Sequence, residues 1–270
     1  MVSKPAKALR RRLDHVMVER GLAESRARAQ ALILAQDVLV NGQVVGKAGA
    51  PVGPGDEIAL KAPPRFVSRG GEKLDHALSI FAVDAAGKVA ADFGASTGGF
   101  TDSLLQRGAQ RVYAIDVGYG QLAEKLRLDP RVVVMDRQNV RSITALPEPV
   151  EIISIDVSFI GLRLVLPAAR AVLASGGEIV ALVKPQFEAG RADVGKGGVV
   201  RDPAVHRRVL REVIAAADAL GLGVQGVTAS PLLGPAGNRE FLIHLRPGAA
   251  GIDADQAIDA AVNVGVDGDP

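Results

Sequence analysis

Asp92-Phe93-Gly94-Ala95-Ser96-Thr97-Gly98-Gly99-Phe100 follows the apolar run 88–91 and leads into Thr101-Asp102-Ser103-Leu104-Leu105. The order reads as a strand, a glycine-rich turn and a helix start. Three glycines let backbone approach a ligand, and a helix N-terminus offers unpaired N–H groups. A second strand, Arg111-Val112-Tyr113-Ala114-Ile115, ends at Asp116. A carboxylate at the tip of a second parallel strand is well placed for ribose hydroxyls. No Gly-x-Gly-x-x-Gly follows the first strand, and the acid opening the turn would repel a diphosphate. A ligand with a ribose and a positive or zwitterionic group fits better. S-adenosylmethionine is such a ligand.

Working outward, strands are predicted at 89–92, 112–116, 132–135, 152–156, 179–184, 223–229 and 240–245. Helices fall between them, including 203–220, where Pro203 suits a first turn. Another precedes the first strand, with Leu74, Ala77, Leu78, Ile80 and Phe81 as its apolar positions. This alternation indicates an α/β, Rossmann-like, doubly wound and mostly parallel sheet, its last pair an antiparallel edge.

The leading segment has a different character. Leu13, Val16 and Met17 with a stop at Arg20-Gly21 read as a short helix, and Ser25 caps a second one. Val38-Leu39-Val40-Asn41-Gly42-Gln43-Val44-Val45 reads as a hairpin, and Pro54-Gly55-Asp56-Glu57 as a turn before Ile58-Ala59-Leu60. Residues 1–73 hold 13 Lys+Arg against 7 Asp+Glu, whereas acids outnumber bases in the remainder. A basic leader on a near-neutral body suggests a polyanion-binding module, with a solvated basic surface as the plainer alternative.

Composition narrows the chemistry. At 270 residues with 48% hydrophobic content, the chain has material for one large domain and a small one. The absence of cysteine excludes disulfides, thiolate metal sites and thiol catalysis, and the four scattered histidines lack metal-ligand spacing. No metal is expected. No stretch has the length of a membrane span or the pattern of a signal peptide, so the cytoplasm is the expected compartment and no membrane partner is expected.

Ligands of open α/β sheets sit at the carboxyl ends of strands. Asp92, Asp116, Asp136 and Asp156 fall there, and Lys184 ends the run Ile179-Val180-Ala181-Leu182-Val183. An ammonium in such a place must be paired or face a site. Glu240 opens the last strand, and Lys73 lies on the helix before the first, just after Gly70-Gly71.

On these motifs the chain resembles two known families. Arg12-Leu13-Asp14, Ser25-Arg26-Ala27-Arg28-Ala29 and Val38-x-Val40-Asn41-Gly42 resemble the S4 RNA-binding domain. That resemblance implies that Arg11, Arg12, Arg26 and Arg28 face RNA phosphates. Further on stand Ser68-Arg69-Gly70-Gly71-Glu72-Lys73-Leu74, the glycine turn and Asp116-Val117-Gly118-Tyr119-Gly120-Gln121-Leu122. With Val183-Lys184-Pro185-Gln186-Phe187-Glu188 and Gly237-Asn238-x-Glu240 they resemble the TlyA family of ribosomal RNA cytidine 2′-O-methyltransferases, whose core is FtsJ-like. The implied division is an S4-like RNA-binding domain at 1–62, a linker at 63–68, a seven-stranded methyltransferase domain at 69–248 and an acidic tail at 249–270.

The resemblance implies S-adenosylmethionine as cofactor and ribosomal RNA in ribosomal subunits as partner. It also implies a catalytic tetrad of Lys73, Asp156, Lys184 and Glu240. In that scheme Lys184 accepts the ribose 2′-hydroxyl proton or steadies the forming alkoxide, Lys73 adds positive charge, and the two acids hold the ammoniums. An ion-pair network closing the top of the sheet is the plainer reading. Gly94, Ser96, Thr97, Gly98 and Gly99 would line the methionine end and Asp116 the ribose. Asp136 reads as an adenine contact or a helix-capping acid, and Asp92 as a ligand or a turn-stabilising acid. Phe159 and Phe187 are candidates to stack on an extruded cytosine, with core packing the simpler expectation for Phe159. Two rivals remain at this level: a catalytically silent RNA-binding assembly factor and a membrane-lytic hemolysin.

Overall fold

A computed structural model of the chain describes residues 10–61 and 64–264, which divide between Pro64 and Arg65 into two compact units. In the first, helix α1 (Leu13–Glu19) and helix α2 (Arg26–Leu34) pack on short strands. Strand β1 (Arg11–Arg12) pairs with β4 (Pro51–Val52), and β2 (Val38–Val40) pairs with both β3 (Gln43–Val44) and β5 (Ile58–Leu60). The 3–4 spacing of Leu13, Val16 and Met17 puts all three on one buried face, where they meet Ala29, Ile33, Val38, Val52 and Ile58. The Ser25 hydroxyl accepts a hydrogen bond from Arg28 N at 3.2 Å and starts α2. Asn41 and Gly42 both take positive φ (51° and 78°), as a tight hairpin turn requires.

The polar centre of this unit is Asp14. Its carboxylate is fully buried, yet it accepts hydrogen bonds from Arg12 (2.9 and 3.0 Å), Gln30 (2.9 Å) and Arg26 (3.3 Å). The bonded Arg12 guanidinium holds this carboxyl well below the usual carboxylate range. Asp14 therefore ties the start of α1 to α2 across the helix pair.

The second unit is a seven-stranded sheet. Its strands are β6 (Val89–Phe93), β7 (Arg111–Ile115), β8 (Val132–Met135), β9 (Val150–Ile155), β10 (Leu173–Val183), β11 (Leu222–Ala229) and β12 (Phe241–Pro247). The order is β11-β12-β10-β9-β6-β7-β8, and only β12 runs against its neighbours. Alternate residues serve opposite faces. Ala90, Val112, Ile152 and Val180 join helix α3 (Gly70–Ile80) and helix α4 (Gly99–Gln106) on one side. Ala91, Tyr113, Ile153 and Ile179 join α6 (Leu166–Val172), α8 (Pro203–Asp218) and α9 (Ala254–Asn263) on the other. A sheet covered on both faces needs apolar residues at successive positions, as these strands have. The remaining helices, α5 (Glu124–Arg127) and α7 (Pro185–Glu188), are single turns.

Beyond shifts of one or two residues at element ends, three segments differ from the sequence reading. Strand β10 begins at Leu173, because Ser175-Gly176-Gly177 is absorbed in a register shift rather than forming a turn outside the strand. Residues 65–68, read as linker, belong to the second unit: Phe66 is buried, Val67 N donates to Asp102 Oδ2 at 2.8 Å, and Arg65 pairs with Asp75. Contact with Phe66 is so close that a Cβ on Gly71 would come within 2.3 Å of its ring. The acidic tail is docked as far as it is described, since α9 buries Ile258, Ala261 and Val262. Its end, 265–270, lies outside the described residues, as do the first nine residues and 62–63.

Replacing Asp14 by Ala is expected to lower the stability of the leading unit by about 2 kcal/mol, the scale of lost hydrogen bonds to a charged group. Hydrogen exchange of the α1 and α2 amides in the full chain reads this; unchanged protection would remove the network from the account.

Candidate active site

Strands β6 and β9 lie side by side, and successive connections leave them in opposite directions, so a crevice opens beyond their carboxyl ends. The backbone there is tightly woven. Asp156 N donates to Phe93 O at 2.9 Å, and Gly94 N and Ala95 N both donate to Ile115 O. Gly94 has φ of 90°, and a Cβ at this position would lie 2.5 Å from the Asp156 carbonyl oxygen. Only glycine lets the turn cross the end of β9 so closely.

The four residues of the expected tetrad meet here. Lys73 in α3 pairs with Glu240, which precedes β12, and Lys184 after β10 pairs with Asp156 after β9 at 2.5 Å. Lys73, Lys184 and Glu240 are all buried, and Asp156 is half-buried. A cleft of about 510 Å³ opens onto Lys73, Asp156, Lys184, Gly94, Ser96 and Thr97. Glu240 sits behind Gly234, where a Cβ would come within 2.1 Å of Oε1. Its Oε1 is buried with no hydrogen bond among the described residues. Ser158, which the sequence reading passed over, accepts a hydrogen bond from Lys184 Nζ at 3.0 Å and lines the same cleft. Its signal was its place two residues after the strand-end acid.

A second cleft of about 490 Å³ shares Gly94, Ser96, Asp156 and Ser158 with the first, so the two form one groove. Asp116 lines it. One of its oxygens accepts from Ser96 N (2.8 Å), the other from Gly118 N (2.7 Å), which leaves a lone pair on each for a diol. Val117, Asn139, Val140 and Ile160 complete a mostly apolar wall. Asp136 does not line the groove and instead accepts from Gly120 N and Arg127. Gly98 is a packing residue at the N-terminus of α4, against Leu122 and Leu126, while Gly99 faces the cleft.

Asp92 is fully buried beneath the turn. It accepts from Thr101 N (2.9 Å), Thr101 Oγ1 (2.7 Å) and Ser154 Oγ (3.2 Å). Of its two readings, the geometry matches the turn-stabilising acid: it binds the first turn of α4. Burial pushes its carboxyl up to about 7 from an ordinary 3.8; the Thr101 hydrogen bond opposes the rise and the charge of Asp156 adds to it.

The methyltransferase motifs match the FtsJ-like methyltransferase family profile over residues 66–247, and the S4 domain profile covers 11–58. The chain belongs to the TlyA family of FtsJ-like methyltransferases. It is 50% identical over 241 residues to the rRNA methyltransferase-named YqxC of Bacillus subtilis, covering 87% of this chain and 85% of that one. It is 47% identical to the 16S/23S rRNA (cytidine-2′-O)-methyltransferase TlyA of Mycobacterium tuberculosis, covering 88% and 91%. A solved structure of a hemolysin-named protein from Streptococcus thermophilus aligns with a TM-score of 0.73 at 43% identity, over 94% and 95% of the two chains.

In this TlyA-family chain the expected packing role of Phe159 is overturned. Its side chain is 89% exposed at φ 63°, on the groove wall, with the Phe187 ring 4.9 Å away. The loop after β9 turns sharply there and directs the ring outward, which residue type alone did not reveal. In the leading unit Arg11 pairs with Glu19 and Arg12 and Arg26 share Asp14, while the Arg28 side chain has no hydrogen bond or ion pair among the described residues. No helix among the described residues is long and apolar enough to cross a membrane, and none of their acidic and histidine side chains cluster as a metal site would.

Asp92 makes stability depend on pH. Between about pH 4 and 7 the folded chain keeps a proton there that the unfolded chain has released, so the favourable contribution is full below pH 4 and is lost as pH rises through 7. The unfolding free energy of the wild type, read from urea titrations, should fall relative to Asp92→Asn across pH 5–7 by up to about 1.4 kcal/mol per pH unit. A difference independent of pH would refute the buried acid.

Proposed function

We propose that the chain methylates the ribose 2′-oxygen of cytidine in ribosomal RNA, with S-adenosylmethionine as donor. The observation that carries this reading is the convergence of two ion-paired lysines on a groove walled by the glycine turn. The groove suits the donor in its chemistry. Asp116 offers acceptors to a ribose diol, Val117, Val140 and Ile160 a flat apolar wall to an adenine, and Gly94–Thr97 a backbone edge to the methionine end. Lys73 with Glu240 and Lys184 with Asp156 sum to no net charge, so the site tolerates a cationic donor. When bound, S-adenosylmethionine supplies an electrophilic methyl group on a sulfonium.

The chain's own residues do the rest. Lys184, fixed between Asp156 and Ser158, donates a hydrogen bond to the 2′-hydroxyl oxygen and steadies the negative charge that develops there as the hydroxyl proton leaves to water. Lys73 places a second positive charge beside that oxygen, and Glu240 keeps it from swinging out to water. Orientation of the hydroxyl in a confined groove supplies much of the acceleration. Phe159 and Phe187 offer a face on which an extruded cytosine stacks, which an RNA base needs once it leaves its helix. Asn139, on the groove wall, is better placed than Asp136 for the adenine amine. Arg11, Arg12, Arg26 and Arg28 contact RNA phosphates. The substrate is the RNA of ribosomal subunits, small, large or both, which places the protein in the cytoplasm.

Lys184→Ala is expected to abolish transfer of radiolabelled methyl to ribosomal subunits while calorimetry still shows S-adenosylmethionine binding; full transfer would refute its role. Arg28→Ala should reduce the salt slope of RNA binding by about one, without loss of thermal stability. An unchanged slope would take Arg28 off the contact surface.

A further inference from the structure

Glu240 reaches Lys73 from a poorly braced stretch of backbone. Residues 230–240 form an irregular turn in which Ala236 and Gly237 have φ of 57° and 84°. Among the described residues its main-chain bonds are Ser230 N to Glu240 O at 2.9 Å, Gly234 N to Asn238 O at 2.8 Å and Gly237 N to Gly234 O at 3.2 Å, and side chains add Arg69 to Leu233 O at 2.6 Å and Ser230 Oγ to Leu232 O at 2.7 Å. Such a turn is soft by itself. The pairing it serves is not, because a carboxylate 2% exposed beside a buried ammonium tolerates little displacement.

The two residues before Glu240 brace it from two directions. The Asn238 side chain is 3% exposed; its Oδ1 accepts from Val200 N at 3.1 Å and its Nδ2 donates to Gly198 O at 2.9 Å. The segment it grips is itself closed, with Gly195 N bonded to Val199 O. It is also held a second time: His206 Nε2 lies 3.0 Å from Val200 O, and the His206 ring packs edge-on to Phe241. Arg239 turns the other way. Its guanidinium donates to Val262 O at 2.9 Å in the last turn of α9 and lies over the Phe241 ring. A cation at the carbonyl end of a helix is favourably placed.

We propose that Asn238 and Arg239 are positioning residues for Glu240, and that α9 is thereby part of the catalytic frame. Helix α9 lies beyond the residues that match the FtsJ-like profile, so nothing in the family core assigns it this task. It is also well anchored for it. Ile258 and Val262 are fully buried, and Arg207 and Arg211 of α8 pair with Asp259 and Asp255. Three consecutive residues thus reach three separate parts of the unit: the 195–200 segment, α9 and Lys73. The proposal rests on the methyl-transfer reading above.

The test is single-turnover methyl transfer to ribosomal subunits by the full chain carrying Asn238→Ala or Arg239→Ala, with S-adenosylmethionine binding followed by calorimetry. The rate should fall roughly 10- to 100-fold, as expected for a displacement of about 1 Å at a reacting group. Affinity for the donor should stay unchanged. Each variant is then combined with Glu240→Gln. If the two residues act through Glu240, the combined loss equals that of Glu240→Gln alone. Losses that multiply, or donor affinity that falls in step with the rate, would make the role merely structural and overturn the proposal. Arg239→Lys, which keeps the charge and can still donate to Val262 O, should recover part of the rate, and it carries the same cycle if Asn238→Ala does not fold. An inert wild-type chain overturns the reaction itself; an active wild type with undiminished variants overturns only the positioning.

Discussion

Lysine and glutamate side chains leave water together or at a cost of several kcal/mol per ion. Lys73 and Glu240 are both buried, and they are 167 positions apart in the chain. Their meeting therefore depends on the whole path of the second unit. Because β12 runs antiparallel between β10 and β11, its start lies at the end of the sheet where the parallel strands finish. That reversal explains why Glu240 precedes its strand whereas Asp156 and Lys184 follow theirs. A parallel last strand would have carried the carboxylate to the far end of the sheet.

The same accounting of charge explains the glycines and small residues around the site. Gly234 leaves room for the Glu240 carboxylate, and Gly94 lets the turn after β6 lie across the end of β9. A Cβ at Gly94 would strike the Asp156 backbone, and one at Gly234 would displace the Glu240 carboxylate from its place beside Lys73. Ser158 completes the arrangement. With Asp156 and Ser158 holding Lys184, its ammonium has a fixed orientation, and in the proposed reaction such preorganisation is where electrostatic catalysis gains its advantage.

Much of this was legible in the amino-acid order, and the parts that were not share a cause. Strand ends could be read because the apolar runs are long and the polar residues that close them stand out: Asp116, Asp156 and Lys184. Phe159 misled because its exposure depends on a left-handed backbone residue after β9. Arg65, Phe66 and Val67 misled because Pro63-Pro64-Arg65 resembles a connector, whereas Phe66 finds its pocket only against Gly71, once α3 has formed. The roles of Asp14 and Asn238 were hidden because their partners, Gln30 and Arg26 or Val200 and Gly198, carry no spacing signal. Local pattern gives elements and termini; side-chain partners from distant segments appear only with packing.

The leading unit uses charge in the opposite sense. In the active site opposite charges are paired to survive burial; on the S4 unit Asp14 is buried while Arg12 and Arg26 stay about half exposed. An arginine held this way keeps free donors for a phosphate, and its fork is already oriented, so less rotamer entropy is lost on contact. The cost is partial neutralisation, because a phosphate bound there would share the guanidinium with Asp14. Arg28 escapes that cost but is not pre-oriented. The unit thus combines held, partly neutralised arginines with a freer one. Under the proposed RNA-binding role, the first kind would favour RNA of matching shape and the second would supply salt-sensitive attraction to any RNA.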